Sequence, residues 1–289
     1  MWQTVTRTRK GIDWGHYKVS EDLDFADDLG LLSSEHKNLR KKTEKLVEIA
    51  KQVGLRINTK KTEEMIFTTR EPPAPLTIDG EEIARVDKFT YLGSVISKEG
   101  AGADIRSRLG KARAAYNMLG RVWKSNQISQ NLKLRLYKSN VISVLLYGSE
   151  TWRVVKSEMA KLDSFNNTCL RRILKIYWPE RITNELLWYR TDTIPITEEI
   201  KKRRLRWFGH VVRMDEDRTP KIALDWTPAA GRRNEGGQRT TWRGSVAKDF
   251  REINWSGRRG LSWQEAKHQA HDRRVWQTIV QRASYSPGG

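Results

Sequence analysis

Cysteine is almost absent. The 289 residues hold one, Cys169, which excludes an internal disulfide framework and a cysteine-rich zinc site and fits a reducing compartment. Long apolar runs are missing too. None approaches the ~20 residues that span a bilayer, and a mean hydropathy of −0.71 describes a very polar surface. The opening stretch MWQTVTRTRKGIDWGHYK carries basic residues but no apolar core. No secretory signal and no membrane contact are therefore expected, and the chain is expected inside the cell, in nucleus or cytoplasm. A nucleotide phosphate loop is lacking: GRRNEGGQR (231–239) has the wrong glycine spacing and no Lys-Ser/Thr. His268 and His271 stand three apart, but with no cysteine nearby and no third ligand they do not make a zinc site. No internal repeat is visible.

Basic charge is abundant: 54 Lys and Arg against 35 Asp and Glu, net +19. Residues 1–100 hold 17 basic and 17 acidic side chains, 101–200 hold 17 and 9, and 201–289 hold 20 and 9. The excess lies wholly beyond residue 100, which favours a polyanion held by the later part over mere solubility charge. Apolar residues at 37%, with 12 tryptophans, suffice for real cores.

The first hundred residues alternate strand and helix patterns. Leu23, Phe25, Leu29 and Leu31 fit two strands around a turn at Asp27-Asp28. Ser34 is placed to cap a helix reaching Val53, with Leu39, Leu46, Ile49, Ala50 and Val53 on one face and Gly54 as its stop. LRIN and EMIFTT read as short strands, Asp79-Gly80 as a hairpin signal, and DKFTYLGSVIS as a strand interrupted at Gly93. Beyond residue 100 the period becomes helical. The first stripe is Ile105, Leu109, Ala112, Tyr116, Leu119 and Val122/Trp123. The second is Leu132, Leu136, Val141, Val144, Leu145 and Tyr147. The third is Met159, Leu162, Phe165, Cys169, Ile173 and Ile176. Thr197 is expected to cap a further helix. Residues 226–240 read as a Gly/Arg-rich linker, and Ser262-Trp263-Gln264-Glu265 as a capping box opening a helix to about Arg282.

The adjacent carboxylates of Asp27 and Asp28 repel and resist desolvation. Solvation in a turn relieves that, and so does a divalent cation; carboxylates at a hairpin tip are a way to present oxygens to Mg²⁺ in phosphoryl transfer. Here LDFADDLGLLS (23–33) resembles the F/Y-x-D-D catalytic hairpin of reverse transcriptases, in the form found in non-LTR, LINE-like retrotransposons. The resemblance continues in order. VGLRINTKKTEEM (53–65) is similar to the next polymerase motif, and FTYLGSVIS (89–97) to the primer-grip hairpin. GKARAAYNML, VLLYGSETW, CLRRILKIYWP and RRLRWFGHVVRM are similar to the thumb and C-terminal region. The match runs from about residue 11 to 283 and points to the C-terminal part of an RTE-type endonuclease/reverse transcriptase.

The resemblance implies an RNA template, a DNA primer or target, and Mg²⁺ or Mn²⁺ as cofactor. It makes Asp27 and Asp28 metal ligands and Lys61 the lysine near the leaving pyrophosphate. Phe25 and Ala26 would floor the primer and nucleotide site, and Phe89, Tyr91, Leu92 and Gly93 would form the primer grip. For Lys61 a plain solvated lysine, and for the grip residues plain strand core, are the alternatives. The family also uses a third aspartate from an upstream strand and basic fingers residues, whereas 26 residues precede Asp27 here. The expected architecture is therefore α/β giving way to mainly α: a partial reverse-transcriptase palm (1–100), a helical thumb-like region (101–178) and a basic helical C-terminal region (179–289). Weak metal binding and no independent polymerase activity are expected. Two alternatives stand beside this: a non-catalytic nucleic-acid-binding protein, and a retroelement remnant with no function. Binding of nucleic acid is expected through Lys202, Arg203 and Arg206 on one helix face and through Arg232 and Arg233 in the linker, with Leu205, Phe208 and Val212 packed inward.

Overall fold

The computed structural model describes residues 11–13, 19–67, 71–98, 100–153, 155–226, 241–255 and 257–283. Arg232, Arg233 and nearly all of the expected 226–240 linker lie outside these. The chain divides into two units: 1–100 with 215–235, and 101–214 with 236–289.

The first unit is built from short antiparallel pairs. β1 (Ile12–Asp13) pairs with β2 (Val19–Ser20), β3 (Asp22–Phe25) with β4 (Asp28–Leu31), β6 (Thr77–Ile78) with β7 (Glu81–Glu82), and β9 (Lys88–Tyr91) with β10 (Ser94–Ser97). β5 (Glu63–Glu64) runs parallel to β8 (Ala84–Arg85). Among the described residues these strands pair two by two and do not merge into one sheet. The turns explain the pairing. Asp79-Gly80 and Leu92-Gly93 have φ of 52°, 83°, 48° and 77°, the left-handed pair that a two-residue hairpin matched to strand twist demands. The stretch expected as one interrupted strand at Gly93 is thus a hairpin.

Helix α1 (His36–Gln52) starts one residue later than expected and Ser34 does not cap it; Ser33 Oγ instead accepts from the Glu35 backbone N–H at 3.2 Å. LRIN forms no strand, and of the described part of EMIFTT only the first residue joins β5; Leu55 and Phe67 are left in solvent with no partner strand among the described residues. The apolar core is small: Leu76, Ile78 and Ile83, with Leu39, Val47 and Ile57 against them. Polar ties supplement it. The buried Glu64 carboxylate accepts from Arg85 Nε and Nη2 at 3.0 and 2.8 Å and pairs with His36 Nε2 at 2.8 Å. Helix α9 (Thr219–Asp225) belongs to the same unit.

The second unit is helical. In chain order come α2 (Gly102–Met118), α3 (Gly120–Lys124), α4 (Gln130–Tyr137), α5 (Ser143–Leu145), α6 (Lys156–Ile173), α7 (Asn184–Thr191), α8 (Ile196–Val212), α10 (Trp242–Glu252), α11 (Trp263–His271) and α12 (Arg273–Arg282), with a β11–β12 pair at 254–255 and 258–259. The boundary expected near residue 178 falls inside this unit, where the Asp163 carboxylate of α6 accepts from the Ile196 N–H at 2.8 Å and caps α8. Helix α8 accordingly starts before Thr197, which does not cap it.

The first and third stripes are buried as expected, apart from Leu119, Val122 and Phe165, which are half-buried against the core. The second is rotated: Leu134, Tyr137, Val141, Leu145 and Leu146 are inside, whereas Leu132 is 44% and Tyr147 51% exposed. An aromatic trio selects this face. Tyr116 stacks on Trp123 at 5.2 Å and Tyr137 meets both edge-on, while a π-turn at Lys138–Ile142 keeps Tyr137, Val141 and Leu145 in line. The capping box at Ser262 forms as expected. The helix it opens, however, stops at His271, and Asp272 caps a new one by accepting from Arg274 and Val275 N–H at 2.8 and 3.0 Å. Burial pushes the Cys169 thiol up to about 12, so it behaves as a small core hydrophobe.

Candidate functional site

The register of β3 and β4 pairs Phe25 with Asp28. The two-residue turn is therefore Ala26-Asp27 rather than Asp27-Asp28, and Asp28 opens β4. Ala26 has φ 55°, a left-handed conformation uncommon for a residue with a Cβ. Asp27 and Asp28 are exposed, and Phe25 is 64% exposed.

The hairpin is anchored at its base by Lys42 of α1, a residue that the sequence pattern did not single out. Its buried ammonium donates to Leu32 O at 2.7 Å and Glu21 O at 3.4 Å and pairs with the Glu21 carboxylate. Such a burial is tolerable because each proton finds an oxygen. Glu21, Asp22, Asp24, Asp27 and Asp28 make the hairpin strongly acidic. Burial raises the Asp22 carboxyl first, the neighbouring Asp24 charge next, with Lys42 pulling the other way.

Tyr91 of β9 reaches this hairpin. Its hydroxyl donates to Leu23 O at 3.2 Å. Its phenol is raised by burial and by the charges of Asp24 and Asp28, both of that hairpin. Phe89 and Tyr91 share a strand face with Ile96, the partner of Phe89 across the pair. Leu92 and Gly93 form the turn. Among the described residues Lys61 makes no hydrogen bond or ion pair with either hairpin. It ends a turn in which Asn58 O and Oδ1 accept its backbone N–H at 3.1 and 3.2 Å, and its side chain is exposed.

Among the described residues no three or more His, Cys, Asp or Glu side chains converge as a metal centre. Asp27 and Asp28 nonetheless fit a Mg²⁺ that arrives with a substrate, since that ion is commonly held by one or two carboxylates plus phosphates and water.

On α8 the expected phosphate-binding face is partly engaged within the fold. Arg203 donates to Leu146 O at 2.9 Å and to Glu199 at 3.3 Å, so it holds α8 to the end of α5. Arg206, 60% exposed along its side chain, lies 4.0 Å from Glu199, and Lys202 is half-buried. Lys201 and Arg204, unremarked in the charge run, are buried. Lys201 pairs with Glu252 at 2.9 Å, and Arg204 grips Asp249 through Nε–Oδ2 at 2.6 Å and Nη2–Oδ1 at 3.0 Å. Leu205, Phe208 and Val212 pack inward as expected.

Comparison with known proteins adds lineage. Residues 115–147 match a family model described as a domain of unknown function, DUF6451. Over 276 residues the chain is 27% identical to a protein of Caenorhabditis elegans described as uncharacterized and transposon-derived, covering 90% of this chain and 95% of that one. This near-complete likeness supports an origin in a transposable element. No solved structure matches. Among the described residues no helix is long and apolar enough to cross a membrane.

Proposed function

We propose that the chain is the C-terminal part of a non-LTR, RTE-type retrotransposon reverse transcriptase, carrying half of a polymerase palm and the nucleic-acid-holding region after it. The observation that carries this is the Tyr91–Leu23 bond. It seats the primer-grip-like hairpin against the Asp-Asp hairpin, the juxtaposition a polymerase needs to hold a primer end beside its metal ligands. Asp27 and Asp28 would hold Mg²⁺ or Mn²⁺, which supplies charge neutralisation at the transferring phosphate. Tyr91 orients one hairpin on the other, and the exposed Phe25 offers an apolar face to a nucleotide. RNA template and DNA primer are the partners.

Two carboxylates without a converging third leave the two-metal arrangement incomplete among the described residues. The chain alone is therefore expected to incorporate no more dNTP than its Asp27→Asn/Asp28→Asn variant, the loss of a metal ligand costing orders of magnitude in rate. The lineage is tested by binding instead. An RNA–DNA hybrid with a recessed primer 3′ end should bind more tightly than the same hybrid made blunt, and Tyr91→Ala should remove the difference. Equal affinity for both ends in the unaltered chain would refute the polymerase reading.

A second reading, a non-catalytic nucleic-acid-binding protein, draws on exposed cations of the second unit that pair with no carboxylate among the described residues.

A further inference from the structure

Three of those cations converge. Helices α2 and α6 border an open groove of about 440 Å³ lined by Arg113, Lys161, Arg172, Tyr116, Phe165 and Thr168, among others. Arg113 and Lys161 come from different helices, so the groove is a product of the fold that the linear charge pattern does not display. All three basic side chains are exposed. Among the described residues none lies within ion-pair distance of a carboxylate, in contrast to Arg108, Arg190, Lys201, Arg203, Arg204 and Arg206 of the same unit. The buried Cys169 also lines the groove, and Arg172 and Arg113 both pull its thiol down against the larger effect of burial. Three like charges held around one groove without a counter-charge repel, and an anion relieves that repulsion.

The groove is long. Lys161, Thr168 and Arg172 recur at spacings of seven and four on α6, one face of a helix, and at 1.5 Å per residue Lys161 and Arg172 stand about 16 Å apart along the axis. That length suits a chain of phosphates better than a single one. At the Arg172 end the character changes from cationic to aromatic. Tyr177 is 60% and Trp178 77% exposed, and Arg181 lies over the Trp178 ring at 4.6 Å. Tyr177 follows the last residue of α6 by four positions, and it adds to the rise of the phenol of Tyr116 on the groove wall, after burial and Cys169. An unburied tyrosine and tryptophan in sequence, with a guanidinium over one ring, make a surface on which an unstacked base can lie. A duplex, whose bases are already stacked, has no use for it.

We propose that this groove binds a single-stranded nucleic-acid segment, its phosphates on Arg113, Lys161 and Arg172 and a base stacked at Tyr177–Trp178. The site deepens the nucleic-acid reading above but uses residues of the second unit alone, so it stands or falls separately from the Asp-Asp hairpin.

The test is a salt titration of the full chain with a fluorescein-labelled, mixed-sequence single-stranded RNA. Arg113→Glu/Lys161→Glu/Arg172→Glu should lower the slope of log affinity against log salt by about two, three contacts at ~0.7 each for a single strand. A control with the same charge change elsewhere in the unit, Lys248→Glu/Arg251→Glu/Arg274→Glu, should leave more of the slope. Trp178→Ala should weaken the single strand about five- to a hundred-fold and a blunt duplex hardly at all. Near-ultraviolet circular dichroism verifies that each variant is folded. The proposal is overturned if the two triple variants lose slope equally, if Trp178→Ala weakens duplex and strand alike, or if inorganic tripolyphosphate displaces the strand at equal phosphate concentration, which would mark a small-anion site.

Discussion

Replacing Gly209 by alanine sets helix propensity against packing. Gly209 lies inside α8, where alanine is favoured over glycine by about 1 kcal/mol if nothing else changes. Here a Cβ would stand 2.2 Å from Trp276 Cδ1 and 2.3 Å from Nε1, more than 1 Å inside ordinary carbon contact of about 3.5 Å. The indole has little room to retreat. It is 2% exposed, packs on Phe208 and Phe250 at 5.5 and 6.2 Å between ring centres, and donates to Leu205 O at 2.8 Å. Overpacking of this kind costs about 1–3 kcal/mol, and a strained or lost indole hydrogen bond about 1 kcal/mol. After the propensity gain the net is a destabilisation of about 1–3 kcal/mol. Gly110, inside α2, is the control, because a Cβ there meets nothing within 4 Å; Gly110→Ala should stabilise by up to about 1 kcal/mol. Urea unfolding followed by tryptophan fluorescence distinguishes the two signs. A Gly209→Ala midpoint at or above that of the unaltered chain would refute the close approach of α12 to α8.

Two further outcomes follow from named pairs. Arg204→Leu should destabilise by about 3–5 kcal/mol by leaving Asp249 buried and unpaired, whereas Arg204→Leu/Asp249→Leu should recover most of that; a double variant no better than the single one in denaturant midpoint would show that the pair is not the cause. Asp28→Asn should move the Tyr91 phenol down towards its ordinary range without reaching it, since burial, the larger cause, remains and only one of two nearby negative charges is removed; ultraviolet titration that finds no change would place Asp28 away from Tyr91.

Much of the second unit was legible because burial there obeys one period. Ile105, Leu109, Ala112 and Tyr116, and Met159, Leu162, Cys169 and Ile173, are spaced as a single helix face requires, and they are buried. The Leu132–Tyr147 face was not, because two faces of that segment are apolar and the choice is made by Trp123 and Tyr116, remote in sequence. The end of α11 at His271 was hidden for a similar reason: the apolar spacing continues across Asp272, whose carboxylate turns the chain by capping. In the first unit local turn chemistry spoke clearly at Asp79-Gly80 and less so at Ala26, where an alanine occupies a left-handed turn position that sequence assigns to Asp, Asn or Gly. Strands such as LRIN failed because a β-rich string forms a strand only when a neighbour accepts its hydrogen bonds.

At the site, the acidic hairpin and Tyr91 were visible as types in order, but the anchoring of the hairpin by Lys42 was not, since it depends on two carbonyls and a carboxylate brought together by folding. The basic run KKRRLR misled by position. Charge alone does not tell Lys201 and Arg204, committed to Glu252 and Asp249, from Arg206 in solvent. Conversely Arg113, Lys161 and Arg172, scattered over sixty residues of sequence, became a group only through the packing of α2 beside α6.

We propose that the two hairpins joined at Tyr91 hold a primer end. This is tested most directly by an RNA–DNA hybrid carrying a photoreactive thymidine analogue at the primer 3′ terminus, crosslinked to the full chain and mapped by peptide mass. Crosslinks are expected within Phe25–Asp28 and Phe89–Gly93, reduced in Tyr91→Ala. Terminal crosslinks that fall wholly outside both hairpins, with the hybrid bound, would contradict it.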